Sequence, residues 1–311
     1  MAVLLCSRSE SAQEWAKAFA ALNAFELRVW PNAGDLSEID YAIAAHPEEG
    51  VLAQCSNLKA IHSLWAGIEH LTNDPSLPKN VPIIRMIDPG LTQGMVEYVF
   101  GHVMRYHLLT HIFQAGQARH DWAPMDPPLA QERTIGMLGL GVLGGTIAGK
   151  LSDFGFNMLG WSRSPKEIKG VDCLHGENGL IELLSRSSIL INLLPNTPAT
   201  TKLLNAENLA QLPTGACIVN AGRGQLIDDD ALLAALDTGQ IGGASLDVFW
   251  EEPLPKDHPY WSHDKVLVTP HIASVTRIST GAATVVKNLR HLMAGGAIDV
   301  IDGVMDPGAG Y

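Results

Sequence analysis

The chain of 311 residues carries a formal net charge of −12, and 46% of its residues are hydrophobic whereas 17% are charged. This composition is typical of a folded globular protein and excludes an intrinsically disordered one. The acidic balance excludes a general affinity for nucleic acid or for anionic membranes, because both would be repelled. The length predicts two domains, each able to bury a core of its own.

The sequence also bears on the compartment. No apolar run is long enough for a membrane span, and the opening run Ala2 to Cys6 lacks a basic flank and is too short for a signal-peptide core. The four cysteines form no C-x-x-C pair, and cysteines scattered in this way are typical of free thiols in a reducing compartment. We therefore expect a cytoplasmic protein.

The first third of the chain alternates short β-rich runs with helical stretches, which predicts a parallel sheet covered on both faces. Between Ser9 and Leu22, apolar residues recur at spacings of three and four, which predicts a helix. We expect strands at Ala2–Ser7, Glu26–Trp30, Tyr41–Ala45, Lys59–Ser63 and Pro82–Met86.

A longer segment runs from Thr92 to about His120, and its apolar residues form one helical stripe that no proline interrupts. This pattern predicts a single long helix. The proline-rich segment from Trp122 to Pro128 cannot continue it and is expected to be a connector.

The alternation then restarts, with helical patterns between most of the strand-like runs. Helices are expected at Asn205–Leu212, at Asp229–Leu236 behind the cap Asp228, and at Thr276–Met293. Six strands in βα succession predict a nucleotide-binding doubly wound fold. These strands are expected at Thr134–Leu138, Asn157–Trp161, Ile189–Leu193, Ala216–Asn220, Gly243–Phe249 and Lys265–Thr269.

The first of these strands runs into a G-x-G-x-x-G turn formed by Gly139, Gly141 and Gly144. The first glycine permits a tight turn, the second lets the backbone approach a pyrophosphate, and the third allows a helix to pack closely on the strand. The helix N-terminus, with Val142 and Leu143, then offers free N–H groups to the anion. The bare pattern is weak, but the strand before it and the helix after it favour a dinucleotide site.

The end of the next strand bears on the choice between NAD and NADP. NAD enzymes usually place an acidic residue there for the adenosine ribose. This chain instead continues with Ser162 and Arg163, which can bind a 2′-phosphate by a hydrogen bond and an ion pair. We therefore expect NADP(H) to be preferred, with NAD(H) possible. The alternative is that Arg163 is an ordinary solvated charge.

Three further segments, residues 219–224, 246–253 and 268–272, each close a predicted strand. They carry Val-Asn-Ala-Gly-Arg-Gly, Leu-Asp-Val-Phe-Trp-Glu-Glu-Pro and Val-Thr-Pro-His-Ile. Open α/β sheets bind ligands at the carboxyl ends of their strands. Together with the glycine turn, these segments resemble the D-isomer-specific 2-hydroxyacid dehydrogenase family, and within it the short glyoxylate/hydroxypyruvate reductases.

The resemblance implies that Arg223 binds the substrate carboxylate and the reacting carbonyl, that His271 is the acid/base, and that Glu252 orients His271. The chemistry agrees, because hydride addition to a ketone develops negative charge on oxygen, where a cation and a proton donor must converge. Glu251 is the alternative to Glu252, but the family pattern places the functional glutamate immediately before Pro253.

The resemblance also implies the remaining contacts. Trp65, Ala66 and Gly67 would form a loop whose backbone N–H groups take the substrate carboxylate, with core packing the alternative for Trp65. Beyond the glycine turn and the pair Ser162 and Arg163, the cofactor would contact five further residues. These are Leu194, Pro195, Thr200, Ala221 and Asp247.

The implied fold is α/β, with two doubly wound parallel-sheet domains. A Rossmann dinucleotide-binding domain would span 93–278, and a discontinuous flavodoxin-like substrate domain would combine 1–92 with 279–311. A homodimer through the long helix from Thr92 is what the family implies. No metal is expected, because His107 and His111 lack a third ligand and Asp228, Asp229 and Asp230 look like a helix start.

Two other functions stay open. The chain could act on D-lactate, on a bulkier 2-oxo acid or, less well supported at this length, on phosphoglycerate. It could also be a dinucleotide-sensing, corepressor-like binding protein, since such proteins share the fold and can retain the Arg, Glu and His. Turnover of 2-oxo acids separates these possibilities.

Overall fold

A computed structural model describes residues 1–305. The chain divides into two compact units, one formed by Met1–Thr92 with Val275–Tyr311 and the other by Gln93–Ser274. Within the described residues, no helix combines the length and apolar character that a membrane crossing requires.

The first unit, unit 1, is built on a six-stranded sheet in the order β13-β5-β4-β3-β1-β2. Its strands are parallel except β13, which pairs antiparallel with β5. The order 2-1-3-4-5 is that of flavodoxin-like sheets. The strands are β1 (Ala2–Ser7), β2 (Glu26–Val29), β3 (Ile39–Ala45), β4 (Ala60–Ser63), β5 (Ile83–Ile84) and β13 (Val304–Met305), and the helices are α1 (Ala12–Ala21), α2 (Glu69–Thr72) and α9 (Ile278–Met293).

The core of unit 1 follows from its sequence patterns. The central strands β1 and β3 are almost continuously apolar and buried, as expected for strands covered on both faces. Helix α1 begins behind Ser11, whose hydroxyl accepts the Glu14 N–H, and it buries Trp15 and Phe19. Helix α9 turns its own apolar stripe inward, including Val285 and Leu289.

The second unit, unit 2, contains a seven-stranded, fully parallel sheet in the order β12-β11-β10-β9-β6-β7-β8. The strands are β6 (Thr134–Leu138), β7 (Asn157–Ser162), β8 (Val171–His175), β9 (Ile189–Asn192), β10 (Ala216–Asn220), β11 (Ile241–Leu246) and β12 (Val266–Val268). Most of α3 (Pro89–His107) belongs here, with α4 (Thr110–Ala118), α5 (Val142–Phe154), α6 (Gly176–Arg186), α7 (Ala206–Gln211) and α8 (Asp229–Thr238).

The strand order of unit 2 reverses between β6 and β9, which are neighbours in the sheet. This is the Rossmann order, and ligands of such sheets bind where the order reverses, beyond the carboxyl ends of the strands. The predicted fold class, two doubly wound parallel-sheet domains, is confirmed.

The prediction of one continuous helix from Thr92 to His120 is wrong, because α3 ends at His107 and α4 begins at Thr110. Leu109 between them has a φ of +57°, in the left-handed region. The Thr110 hydroxyl donates to the Arg105 carbonyl at 2.9 Å, while the Leu109 N–H turns to the Tyr106 carbonyl at 3.2 Å. The hydroxyl thus replaces the helical hydrogen bond, and the chain bends without a proline.

Two strands lie outside the predicted set, and both are at sheet edges. Strand β8 adds a seventh strand to the six expected in unit 2, and β13 contributes only two residues to unit 1. Both strands are at most partly buried, so their sequences carry a weak apolar signal.

Candidate active site

The centre of the candidate site is a histidine–glutamate pair on two loops that follow parallel strands. His271 lies beyond β12 and Glu252 beyond β11, and the His271 Nδ1 is 2.7 Å from the Glu252 Oε2. The other carboxylate oxygen of Glu252 accepts the Phe249 N–H at 2.9 Å. Glu252 is therefore anchored at one oxygen and pairs with the imidazole through the other.

This pairing changes the protonation of both groups. The hydrogen bond to Glu252 raises the pKa of His271 above its ordinary value; burial and the charge of Arg223 oppose this effect, and the charges of Glu252 and Asp247 add to it. Burial favours the neutral form of Glu252, but the hydrogen bonds from His271 and Phe249 and the nearby positive charges outweigh it and lower the Glu252 pKa. The pair therefore favours a protonated imidazole beside an ionised carboxylate.

Arg223 follows β10, and its charge lowers the pKa of both His271 and Glu252. Its backbone carbonyl accepts the side-chain amide of Asn220 at 3.1 Å. The next residue must be small: a Cβ added at Gly224 would lie 2.0 Å from the Phe249 carbonyl carbon. Gly224 thus lets the Arg223 segment pack directly against the backbone that leads to Glu252.

The glycine turn between β6 and α5 has the features that a dinucleotide requires. Gly139 has a φ of +100°, and a Cβ at Gly144 would lie 1.9 Å from the Gly139 carbonyl oxygen, so both positions exclude a side chain. Gly141 is different, because a Cβ there would meet nothing within 4 Å. Open space at Gly141 and the unpaired first-turn N–H groups at the start of α5, which include those of Val142 and Leu143, fit an approaching pyrophosphate.

The other predicted cofactor residues lie along the same edge of the sheet. Ser162 ends β7 and donates to the Ser164 carbonyl at 2.8 Å, and the Arg163 that follows it is exposed. The Thr200 hydroxyl donates to the Pro195 carbonyl at 2.7 Å and so closes the loop that begins at Leu194. Ala221 is buried directly after β10.

Asp247, directly after β11, is only 1% exposed. Its two carboxylate oxygens accept the Ile272 N–H at 2.9 Å and the Ala273 N–H at 2.8 Å. A buried carboxylate that accepts backbone N–H groups is satisfied without a cation. Asp247 therefore fixes the backbone immediately after His271.

The predicted substrate loop belongs to unit 1. The Ser63 hydroxyl accepts the Trp65 N–H at 3.0 Å and donates to the Trp65 carbonyl at 2.9 Å. The Trp65 indole N–H donates to Glu10 at 2.9 Å, and its ring packs edge-on against His70. Trp65, Ala66 and Gly67 are half-buried, so the loop is held by specific contacts at its first residue.

The two patterns that resemble metal sites have other roles. The His107 ring packs against Phe156 and the His111 ring against Tyr106. Asp228 caps α8 by accepting the Ala231 N–H, and it pairs with Lys202 at 3.0 Å. Among residues 1–305, no group of three or more His, Cys, Asp or Glu side chains is arranged to hold a metal ion.

Two asparagines to which the sequence motifs assign no role lie at the ends of neighbouring strands. Asn192 ends β9 and Asn220 ends β10, both fully buried, and the Asn192 amide donates to the Asn220 side-chain oxygen at 3.1 Å. Asn220 also accepts the Gly222 N–H at 3.2 Å. These side chains shape the turns before Leu194 and Arg223. The sequence contains a signal for both residues, because a polar side chain at the end of a buried strand needs a hydrogen-bond partner.

Sequence comparison places this geometry in a family. A model of the D-isomer specific 2-hydroxyacid dehydrogenase NAD binding domain matches residues 98–273. Glyoxylate/hydroxypyruvate reductase A of Serratia proteamaculans is 40% identical over 303 residues, covering 94% of this chain and 96% of that protein. The protein of the same name from Yersinia enterocolitica is 39% identical over 302 residues, with the same coverage of 94% and 96%.

Solved structures give the same result. A D-isomer specific 2-hydroxyacid dehydrogenase from Xanthobacter autotrophicus in complex with NADPH and MES matches with a TM-score of 0.93 and 39% identity, covering 100% of this chain and 99% of that chain. An NADPH-dependent glyoxylate/hydroxypyruvate reductase from Sinorhizobium meliloti, bound to NADP and sulfate, matches with a TM-score of 0.90 and 33% identity, with the same coverage of 100% and 99%. The predicted family is thereby confirmed: the chain belongs to the D-isomer-specific 2-hydroxyacid dehydrogenases.

Proposed function

We propose that this protein reduces small 2-oxo acids, with glyoxylate and hydroxypyruvate foremost, to the corresponding 2-hydroxy acids with NADPH. The observation that carries the proposal is the 2.7 Å pair of His271 and Glu252, with Arg223 close enough to shift the pKa of both. Relatives that are named glyoxylate/hydroxypyruvate reductase A and are about 40% identical support the choice of substrate.

Each residue then has a chemical task. Arg223 binds the carboxylate and the carbonyl oxygen of the 2-oxo acid, for which a planar guanidinium is suited. His271, protonated at both ring nitrogens, points Nδ1 at Glu252 and donates the Nε2 proton to the carbonyl oxygen as the alcohol forms. Glu252 keeps the ring oriented and charged. NADPH, when bound, supplies the hydride that adds to the carbonyl carbon.

The cofactor contacts are proposed for the glycine turn and for the residues along the same edge of the sheet. The N-terminus of α5, at Gly141, takes the pyrophosphate, and Gly139 and Gly144 shape the turn around it. Ser162 and Arg163 take the 2′-phosphate of NADPH, which relatives with bound NADPH or NADP support. The cofactor would also contact Val142, Leu143, Leu194, Pro195, Thr200, Ala221 and Asp247.

We assign the cofactor to residues 93–278 and the substrate-domain role to residues 1–92 with 279–311. Within the latter, the loop of Trp65, Ala66 and Gly67 is proposed to bind the substrate carboxylate through its backbone N–H groups. The ordered contacts of Trp65 with Ser63 and Glu10 support a preformed loop.

A homodimer and a cytoplasmic location complete the proposal. Around α4 several large apolar side chains are solvent-exposed, and Trp122 in the following connector is 95% exposed. Large apolar side chains left exposed in one stretch of the chain favour an interface, and a second copy of this chain is the partner that we propose. The cysteines of the described chain are free thiols, which supports a reducing compartment.

The test of the reaction is a steady-state panel of glyoxylate, hydroxypyruvate, pyruvate and longer 2-oxo acids, each with NADPH and with NADH. We expect the highest kcat/KM for glyoxylate or hydroxypyruvate with NADPH. A preference for pyruvate or a bulkier acid would replace the substrate assignment. No oxidation of either cofactor across the panel would refute the dehydrogenase proposal and favour a dinucleotide-sensing binding protein.

The dimer is tested by sedimentation velocity. The wild-type chain is expected to sediment as a dimer, and replacing exposed apolar residues, Phe113→Asp with Trp122→Ser, is expected to give monomers. The control replaces an exposed apolar residue elsewhere in unit 2, Trp261→Ser. A monomeric wild-type protein would refute the homodimer.

A further inference from the structure

The backbone at His271 needs an external restraint. Its φ is +54°, in the left-handed region that residues with a side chain rarely adopt. Such a conformation persists only where the surrounding structure holds it. What fixes this loop therefore also fixes the direction of the His271 ring and its contact with Glu252.

The restraint comes from Asp247. Its backbone carbonyl accepts the His271 N–H at 2.9 Å. Its carboxylate accepts the N–H groups of the next two residues, Ile272 and Ala273. Three successive backbone N–H groups of the loop thus donate hydrogen bonds to one buried residue, Asp247. The position of the Asp247 carboxylate sets the position of the loop.

Asp247 is in turn held by Thr269, which precedes His271 by two residues. The Thr269 Oγ1 lies 2.6 Å from the Asp247 Oδ1 and 2.8 Å from the Tyr98 hydroxyl. A carboxylate only accepts hydrogen bonds, so the Thr269 proton points to Asp247. The Tyr98 hydroxyl must then donate to Thr269, and burial raises the pKa of Tyr98, which keeps that proton in place.

The ring of Tyr98 packs against a neighbouring side chain of α3. Its ring centroid is 4.2 Å from that of His102, whose Nδ1 lies 2.9 Å from the Ser245 hydroxyl. The same hydroxyl is 2.8 Å from the hydroxyl of Tyr106, which lies eight residues after Tyr98 on α3. Tyr106 is thus a tyrosine of the same helix whose hydroxyl bonds to Ser245 at the distance at which the Tyr98 hydroxyl bonds to Thr269.

We propose that Tyr98 and Thr269 are positioning residues for the proposed acid/base His271, acting through the hydrogen-bond chain from Tyr98 to Thr269 to Asp247. The catalytic consequence rests on the proposed function. Neither side chain needs to touch the substrate. These hydrogen bonds hold the loop in the conformation in which the His271 ring contacts Glu252.

The first test measures turnover of glyoxylate with NADPH in Thr269→Val, Thr269→Ser, Tyr98→Phe and the control Tyr106→Phe. We expect kcat to fall about tenfold or more in Thr269→Val and by about threefold to tenfold in Tyr98→Phe, because a misplaced acid loses much of its effect. The KM for NADPH should change less than about twofold. Thr269→Ser keeps a hydroxyl at this position, and Tyr106→Phe leaves the hydrogen bonds from Tyr98 to Thr269 and Asp247 in place. Both variants should therefore keep the wild-type kcat.

Wild-type kcat in Thr269→Val would overturn the proposal. So would an equal loss in Thr269→Ser and Thr269→Val, or in Tyr106→Phe and Tyr98→Phe, because either result would indicate a general packing defect. If Thr269→Val does not fold, as shown by its circular dichroism, Tyr98→Phe against Tyr106→Phe decides.

The second test does not depend on turnover. The pKa of the His271 ring is measured by NMR titration in the wild type and in the same variants. The groups that act on this ring are Glu252 and Asp247, which raise its pKa, and Arg223 and burial, which lower it. A displaced loop weakens the bond to Glu252, so the His271 pKa should fall in Thr269→Val and Tyr98→Phe and stay unchanged in Tyr106→Phe.

The two failures are distinguishable. If the wild type is inactive but the His271 pKa is lower in Thr269→Val than in the wild type, the proposed function is refuted and the positioning role is supported. An active wild type with the same His271 pKa and the same kcat in Thr269→Val would refute the positioning role alone.

Discussion

The His271 Nδ1 and the Glu252 Oε2 lie 2.7 Å apart although 19 residues separate them in the chain. The nitrogen that faces the carboxylate is the one nearer the backbone, which leaves Nε2 for another partner. Since Glu252 is anchored through its second oxygen to the Phe249 N–H, the ring direction is set by the two loops together. The geometry is that of an imidazole oriented by a carboxylate.

Removing the imidazole tests its role directly. In His271→Ala, we expect reduction of 2-oxo acids to fall about 10²-fold to 10⁴-fold, the usual range for a general acid. The dissociation constant for NADPH, measured by fluorescence titration, should stay close to that of the wild type. The control is His263→Ala, a histidine that pairs with Asp237 in the same unit. Unchanged turnover in His271→Ala would remove His271 from the mechanism.

Glu252 is predicted to control the pH dependence. Reduction needs protonated His271, so kcat/KM should be highest at low pH and fall as pH rises through the His271 pKa, which Glu252 raises. Glu252→Gln removes the charge, lowers the His271 pKa and moves this fall to lower pH. The adjacent exposed carboxylate supplies the control, Glu251→Gln, whose profile should match the wild type. Identical profiles for the two variants would contradict the pairing.

The glycine turn makes opposite predictions for two neighbouring positions. Gly141→Ala places its methyl group in open space, so the melting temperature should stay unchanged while NADPH affinity falls, because the methyl group occupies the approach to α5. Gly144→Ala forces a Cβ against the Gly139 carbonyl, and the melting temperature itself should fall. Thermal melts with and without NADPH measure both effects. Full NADPH affinity in Gly141→Ala would exclude pyrophosphate binding there.

Arg163 is predicted to set the cofactor preference. Arg163→Asp should weaken NADPH binding by about tenfold or more, since a charge-assisted bond to the 2′-phosphate is replaced by repulsion, and should leave NADH binding nearly unchanged. Lys150→Asp, at an exposed position within α5, makes the same change in net charge. Steady-state KM values for both cofactors provide the measurement. An equal loss for NADPH and NADH would refute a 2′-phosphate contact.

The parts of the structure that could be predicted are those with a local signal. The glycine turn of Gly139 to Gly144 needs small residues at fixed spacing, and the strand before it is apolar, so this segment indicates the Rossmann fold of unit 2. The cofactor site at the same turn stays a prediction. His271 and Glu252 stand in motifs that resemble a known family. Their roles remain predictions, because a motif gives residue types and not distances.

The parts that could not be predicted depend on partners far away in the chain. The bend at Leu109 arises where two leucines favour a continuous helix, and only the contact of Thr110 with the Arg105 carbonyl interrupts it. Tyr98 lies 171 residues from Thr269, and in the sequence it is one aromatic residue in an apolar stripe. Its polar tip acquires a function only when β12 is in place.

The composition of unit 1 from two separate chain segments has a consequence for biosynthesis. A ribosome completes β1 to β5 early, but α9 and β13 emerge only after the whole of Gln93–Ser274 has been made. Until then Trp15 lacks the α9 residue Gly281, whose missing side chain leaves room for its ring, and β5 presents an unpaired edge. The nascent N-terminal segment therefore presents an open strand edge, which favours aggregation, until the last segment is made. Unit 2, in contrast, can fold from a continuous stretch of chain.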